Sequence, residues 1–226
     1  AGIVGISTAL WAQKEGLKTL ICDPAPPGSG TTYGSACTIA TYACIPVNSP
    51  TIFSALPHLL TSKDSPLSFN LAHGLKNPRW MLSFLDNCRP SRVKHITQAL
   101  GGFLRHADSG LDPLIAEADA QDLIVSNDCL YVWSSRTGFE NAATSNAMRA
   151  EQGVELDELG PDDIRSLEPN LQQAMHRGLR FKGARHITNP QELVHRMQLR
   201  FEALGGTYLP QKIDRTKADD TGVTAY

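Results

Sequence analysis

Ile6, Ala9, Leu10 and Gln13 recur at helical spacing across the good helix formers of Ser7 to Glu15, and Gly16 stands where a left-handed C-terminal cap is wanted. A short apolar, β-branched run, Thr19 to Cys22, follows and ends at Asp23 and Pro24, which predicts a buried parallel strand with a polar group at its C-terminal end. The next stretch, Pro24 to Gly34, is a Pro/Gly-rich loop. From about Pro50 to Ala120 the pattern is mainly helical, with Trp80, Met81, Phe84 and Leu85 on one face and Val93, Ile96 and Leu100 on another. LIVSNDCLYVW, Leu123 to Trp133, has two β-rich runs around Ser-Asn-Asp and predicts a hairpin. Gly160, Pro161, Asp162 and Asp163 predict a helix start, with proline in the first turn and two acids complementing the positive end of the helix dipole. LRFKGARHIT then reads as a strand, and Pro190 to Leu204 as an amphipathic helix closed by Gly205 and Gly206.

Composition narrows the class of protein. The chain has 226 residues, 41% of them hydrophobic, enough for one large domain or two small ones. Its 21 Lys+Arg against 23 Asp+Glu give a net charge of -2 without a basic stripe, so a nucleic-acid partner has no electrostatic support. No apolar run approaches the about 18 residues of a membrane-spanning helix, and no signal-peptide pattern is present, so the expected location is cytoplasmic. Five cysteines without a CxxC pair predict reduced, mostly buried thiols. His176, His186 and His195 lack HxxxH or HExxH spacing, and no GxSxG elbow is present; neither a metal site nor a hydrolase triad is indicated.

The chemistry concentrates near the start. Gly2 and Gly5 fit the second and third glycines of GxGxxG, and Asp23 follows Gly5 after 17 intervening residues. In a dinucleotide-binding turn one glycine makes the bend, the second lets backbone approach a pyrophosphate, the third permits close packing, and the distant acid accepts ribose hydroxyls. The loop Pro27 to Ala36 (PGSGTTYGSA) adds small and hydroxyl side chains able to meet phosphates or a flavin ring; its other reading is an ordinary surface loop.

These segments, with SACTI and Pro46 to Pro50 after them, resemble the start of FAD-dependent D-amino acid dehydrogenases, within the D-amino acid oxidase and glycine/sarcosine oxidase superfamily. NPRWMLSFLDNCRPSRV, CLYVWSS, GVELDELGPDDIRSLEPNL and HITNPQELVHRMQLRFEALGG continue the likeness in order and spacing over nearly the whole chain. The resemblance implies an α/β fold: a Rossmann-like FAD-binding domain interleaved with an antiparallel-sheet substrate domain. The expected parts are residues 1-50 and 186-226 for the FAD-binding domain and 51-185 for a helical segment and the substrate sheet.

By the same resemblance Gly2, Gly5, Asp23, Gly30, Thr31, Thr32, Ser35 and Ala36 contact FAD, with Ile213 reaching the adenine through its backbone. Two positions depart from the family: Cys37, after Ser35-Ala36, and Cys129, before Leu130, stand where relatives usually have glycine. The implied reaction moves a hydride from the α-carbon of a D-amino acid to the flavin, giving an imino acid that water hydrolyses to a 2-oxo acid and ammonia. A quinone or respiratory-chain acceptor is implied, and with it a peripheral association at the inner face of a membrane, for which Trp80 to Leu85 is one candidate surface and core packing the preferred role. No catalytic side chain is assigned. The alternatives are a glycine or sarcosine oxidase-like enzyme that uses oxygen, and an inactive remnant. The likeness further predicts a first glycine and strand ahead of Ala1 and a C-terminal half beyond Tyr226, so the 226 residues are expected to be a fragment that does not hold FAD stably alone.

Overall fold

Gly2 caps helix α1 (Ile3–Lys14) with extended backbone. The helix ends as its sequence predicts: Gly16 has φ +81°, its N–H bonds the Gln13 carbonyl at 2.8 Å, and the Leu17 N–H bonds Ala12 at 3.0 Å. These two bonds satisfy last-turn carbonyls that would otherwise be orphaned. The computed structural model describes residues 1–48, 50, 76–171, 174–219 and 222–226. After α1 come β1 (Leu20–Cys22), β2 (Thr38–Ile39), α2 (Pro78–Asn87), α3 (Pro90–Leu104), α4 (Ala107–Glu117), β3 (Ile124–Ser126) and β4 (Cys129–Trp133). Then follow α5 (Arg136–Asn141), α6 (Ala143–Glu151), β5 (Leu156–Leu159), α7 (Pro161–Leu167), β6 (Arg177–Phe181), β7 (Arg185–Ile187), α8 (Pro190–Ala203), β8 (Thr207–Leu209), β9 (Thr216–Asp219) and β10 (Gly222–Ala225). The helical character predicted between 50 and 120 is present from Pro78 onward; residues 51–75 of that stretch lie outside the described residues. None of the helices among the described residues is long and apolar enough to cross a membrane.

The chain forms two compact units, each assembled from separated stretches: Ala1–Ala40 with His106–Asp128 and Gly183–Tyr226, and Thr41–Arg105 with Cys129–Lys182. In the first, α1, α4 and α8 bury one continuous core containing Ile6, Leu10, Leu114, Ile115, Leu193, Met197 and Phe201. Glu117 on α4 accepts from Lys14 at 2.7 Å and Arg200 at 3.0 Å, tying the three helices together. Burial of such side chains, worth roughly 1.5 to 3 kcal/mol each, carries the packing. β1 pairs in parallel with β8, Leu20 opposite Thr207. β2, β7 and β3 make an antiparallel sheet in that order, and β9 and β10 an antiparallel pair.

α8 is capped at its start by Asn189, whose side chain accepts the Glu192 N–H at 3.0 Å. At its end Gly205 has φ +88°, and the Gly206 N–H bonds Phe201. A Cβ on Gly206 would come within 2.4 Å of the Phe201 ring, which is fully buried, so only glycine fits there. The predicted Gly205-Gly206 stop therefore combines a backbone requirement with a packing one.

The second unit is built on the antiparallel sheet β4-β6-β5. Tyr42 stacks on Phe181 at 4.9 Å, Tyr131 meets Phe181 edge-on at 5.0 Å, and the Arg149 guanidinium lies over the Phe181 ring at 5.3 Å. Burial, reinforced by Cys129 and Tyr131, raises the Tyr42 phenol above its ordinary range and keeps it neutral. Cys129 itself is a plain strand residue opposite Phe181, with none of the positive φ that would call for glycine. The helix start predicted at Gly160 is present, with the Gly160 N–H donating to Asp163 Oδ2 at 3.0 Å.

Five expectations are corrected. The Leu123 to Trp133 hairpin does not form: β3 pairs with β7 and β4 with β6, in different sheets. Asp128, at φ +52°, gives its N–H to Ala184, so the Ser-Asn-Asp corner redirects the chain instead of closing a two-strand ladder. LRFKGARHIT is two strands rather than one, broken at Gly183 with φ +76°. β1 is not fully buried: Leu20 is 56% exposed and Ile21 and Cys22 are half-buried, because β8 is its one paired neighbour among the described residues. Finally, Trp80, Met81, Phe84 and Leu85 are not core: no residue of α2 is buried, its main described neighbour being α3, and Trp80 and Phe84 stack on each other at 5.5 Å. Of the five thiols, all free, only Cys44 and Cys88 are buried.

Candidate functional site: a cavity at the first helix N-terminus

A cavity of 610 Å³ opens in the first unit against the N-terminus of α1. Its lining includes Gly2, Gly5, Asp23, Gly30, Thr31, Thr32 and Ser35. Seven of the nine residues singled out from the sequence thus share one concave surface of a size common for small-molecule sites. Ala36 and Ile213 are not among the lining residues; Ile213 stands exposed between β8 and β9.

The first turn of α1 determines what the cavity can bind. The Ile3 N–H donates to Thr32 Oγ1 at 3.1 Å, and the Ile6 N–H bonds Gly2 at 3.0 Å. Between them, the N–H groups of Val4 and Gly5 meet no acceptor among the described residues, and both residues line the cavity. Two unbonded amides at the positive end of a 12-residue helix favour an anion in that space. Asp23, on the same cavity, accepts from the Ala1 nitrogen through Oδ2 and from the Ala25 N–H at 2.9 Å through Oδ1. The Ala25 amide bonds the charged form of the carboxyl, so Asp23 is an ionised acceptor at neutral pH. The Tyr208 hydroxyl lies 3.0 Å from the Asp23 carbonyl and 2.9 Å from that of Ala25, anchoring the turn that presents the acid.

The glycines play parts that their spacing alone does not distinguish. A Cβ on Gly2 would sit 3.2 Å from Thr32 Oγ1, so glycine there makes room for a hydroxyl of this chain. Gly5 is the reverse of the close-packing role expected for a third glycine: a Cβ would meet no described atom within 4 Å, and its open side is the cavity. Gly28, not singled out from sequence although it stands in the Pro/Gly loop, has φ +74° and space for no Cβ beyond 3.1 Å from Val194. Its N–H bonds the Ala1 carbonyl at 2.9 Å, which brings the loop against both α1 and the start of α8. Pro190, Leu193 and Ile187 line the cavity as well, and none carries a sequence signal beyond apolarity.

Cys37 adopts φ +59°, the left-handed region where glycine is favoured. Its carbonyl accepts the Ile187 N–H at 2.7 Å, linking the loop to β7, and its thiol lies 3.2 Å from the Ser35 carbonyl. The departure from glycine noted at this position is thus a strained residue next to the cavity lining.

An anion-favouring helix end, an ionised acid and small residues that leave room between them fit the two ends of an adenosine diphosphate group: amides for pyrophosphate, carboxylate for ribose hydroxyls. Comparison with known proteins agrees with that class of dinucleotide-binding flavoprotein. The family described as DAO, FAD dependent oxidoreductase, matches residues 1–226, and the chain belongs to it. Its cofactor is FAD. Among curated relatives, a D-amino-acid oxidase of Bradyrhizobium diazoefficiens is 30% identical over 174 residues, 76% of this chain and 41% of that protein. A D-amino acid dehydrogenase 2 of Ralstonia nicotianae is 28% identical over 173 residues, again 76% of this chain and 41% of the relative. The chain therefore spans about two-fifths of the length of these relatives. In fold it is similar to glycine oxidase from Geobacillus kaustophilus, TM-score 0.62 at 13% identity, covering 99% of this chain and 48% of that one. It is also similar to an L-alpha-glycerophosphate oxidase from Mycoplasma pneumoniae with FAD bound, TM-score 0.61 at 13% identity, covering 99% and 47%.

Proposed function

We propose that the protein takes part in the oxidative deamination of D-amino acids to 2-oxo acids and ammonia, with the cavity at the α1 N-terminus holding the adenosine diphosphate portion of FAD. When bound, FAD supplies the acceptor for the hydride that leaves the substrate α-carbon. The chain's own residues bind and orient: the Val4 and Gly5 N–H groups face the pyrophosphate, the Asp23 carboxylate takes the ribose hydroxyls, and Gly30, Thr31 and Ser35 line the remainder of the cavity. The observation that carries this reading is the pair of unbonded amides and the ionised acid on one surface. Support for a D-amino acid substrate comes from the names of the two sequence relatives, one an oxidase and one a dehydrogenase. The acceptor we favour is a quinone or another respiratory-chain carrier.

The test is an assay of the FAD-supplemented protein with D-alanine and with sarcosine, following oxygen consumption and reduction of an artificial quinone in parallel. Quinone reduction with D-alanine is expected. Turnover of sarcosine with oxygen alone would replace this reading with a glycine or sarcosine oxidase-like one, and a preparation of the complete protein that takes up no flavin would overturn it altogether.

A further inference from the structure

Thr32 is 91% shielded from solvent, yet its hydroxyl is not spent on a neighbour in its own loop. It reaches across 29 residues of sequence to accept the Ile3 N–H, the first amide of α1. An N-cap side chain would take one of the next two amides, Val4 or Gly5, and here the N-cap is Gly2, which has no side chain and leaves both free. Gly2 and Thr32 form a matched pair: a Cβ at position 2 would stand 3.2 Å from Thr32 Oγ1 and press the hydroxyl out of its place by a few tenths of an ångström. The consequence is a division of labour among the amides of the first turn. Ile3 is satisfied internally, whereas Val4 and Gly5 are left facing the cavity. The hydroxyl proton of Thr32 itself finds no acceptor among the described residues, and Thr32 lines the same cavity.

From this geometry we infer that Thr32 is a positioning residue for diphosphate recognition: by capping Ile3 from a distance it sets the orientation of the glycine turn, so that the next two amides meet a nucleoside diphosphate. The inference rests on the cavity being the adenosine diphosphate site. A valine at position 32 keeps the shape of threonine and removes the acceptor; a serine keeps the acceptor. The loss should fall on the phosphate-bearing part of a ligand and spare the ribose end, which Asp23 holds.

The experiment measures binding of ADP and of adenosine to the wild-type protein, Thr32→Val and Thr32→Ser by calorimetry. Thr32→Val should lose about tenfold in ADP affinity, as expected when a misoriented turn forfeits one amide bond to the charged diphosphate, with adenosine unchanged. Thr32→Ser should stay close to wild type. A folded Thr32→Val that binds ADP as wild type does, or that loses ADP and adenosine equally, overturns the inference while leaving the site assignment intact. A wild-type protein that binds neither ligand sinks the site assignment, and the inference with it. Amide exchange in the unliganded wild type supplies a check that needs no variant: the Ile3 amide should be protected while those of Val4 and Gly5 exchange freely, and equal exchange at all three would contradict the capping role.

Discussion

Replacing Cys37 by glycine should stabilise the protein, although it removes a half-buried side chain. Residue 37 is held at φ +59° because its carbonyl accepts the Ile187 N–H at 2.7 Å and its neighbours Ser35 and Thr38 are fixed by the cavity loop and β2. An L-residue in the left-handed region costs roughly 1 to 2 kcal/mol, which glycine relieves. Against this, the extra freedom of glycine in the unfolded chain costs roughly 0.5 to 1 kcal/mol. The thiol's contacts with Ser35, at 3.2 and 3.8 Å, are too weak to change the sign. The net is a gain of about 0.5 to 1 kcal/mol, equivalent to a rise of about 1 to 4 °C in Tm for a protein of this size. The assay is thermal unfolding of wild type, Cys37→Gly and Cys37→Ala under reducing conditions. Alanine keeps the Cβ and hence the strain, so it should gain little. A Cys37→Gly variant less stable than wild type, or an alanine variant that gains as much as glycine, would refute the argument that backbone strain dominates.

Other perturbations follow from the same packing. Gly206→Ala should lower stability by about 1 to 3 kcal/mol, since a Cβ there meets the buried Phe201 ring at 2.4 to 2.6 Å; a melting temperature equal to wild type would show that the ring can move aside. Lys14 and Arg200 hold the Glu117 carboxyl below the ordinary 4.5, so its ion pairs stabilise the fold fully above that pH and cease to do so as the pH falls through the lowered folded value. In urea unfolding at a series of pH values, Glu117→Gln should therefore lose less stability than wild type below pH 4.5, and parallel acid limbs would contradict the assignment.

How far the fold could be read from sequence depended on whether a local signal had a local cause. Both glycine-closed helices, at Gly16 and at Gly205-Gly206, follow from backbone conformations that glycine alone adopts easily, and the Gly160 start follows from a proline and two acids one turn away. The strands near residues 123 to 133 and 179 to 188 were legible as strands, but their partners were not. Asp128 and Gly183 look like ordinary turn residues, and only long-range pairing decides that β3 joins β7 while β4 joins β6. The stripe Trp80 to Leu85 had helical periodicity without saying how much of it would be covered. In the site, the Gly2, Gly5 and Asp23 spacing pointed to the cavity, whereas the Thr32 cap, the Gly28 wedge against Val194 and the Tyr208 anchor on the Asp23 turn depend on contacts from 29 to 185 residues away in sequence.

The central claim is that the α1 amides and Asp23 together grip the adenosine diphosphate part of FAD, and equilibrium titration of wild type and Asp23→Ala with FAD tests it most directly. Loss of hydrogen bonds to a charged acceptor, about 1.5 to 3 kcal/mol, predicts a flavin Kd weakened roughly 10- to 100-fold in Asp23→Ala. A folded Asp23→Ala protein that binds FAD with the wild-type Kd would contradict it.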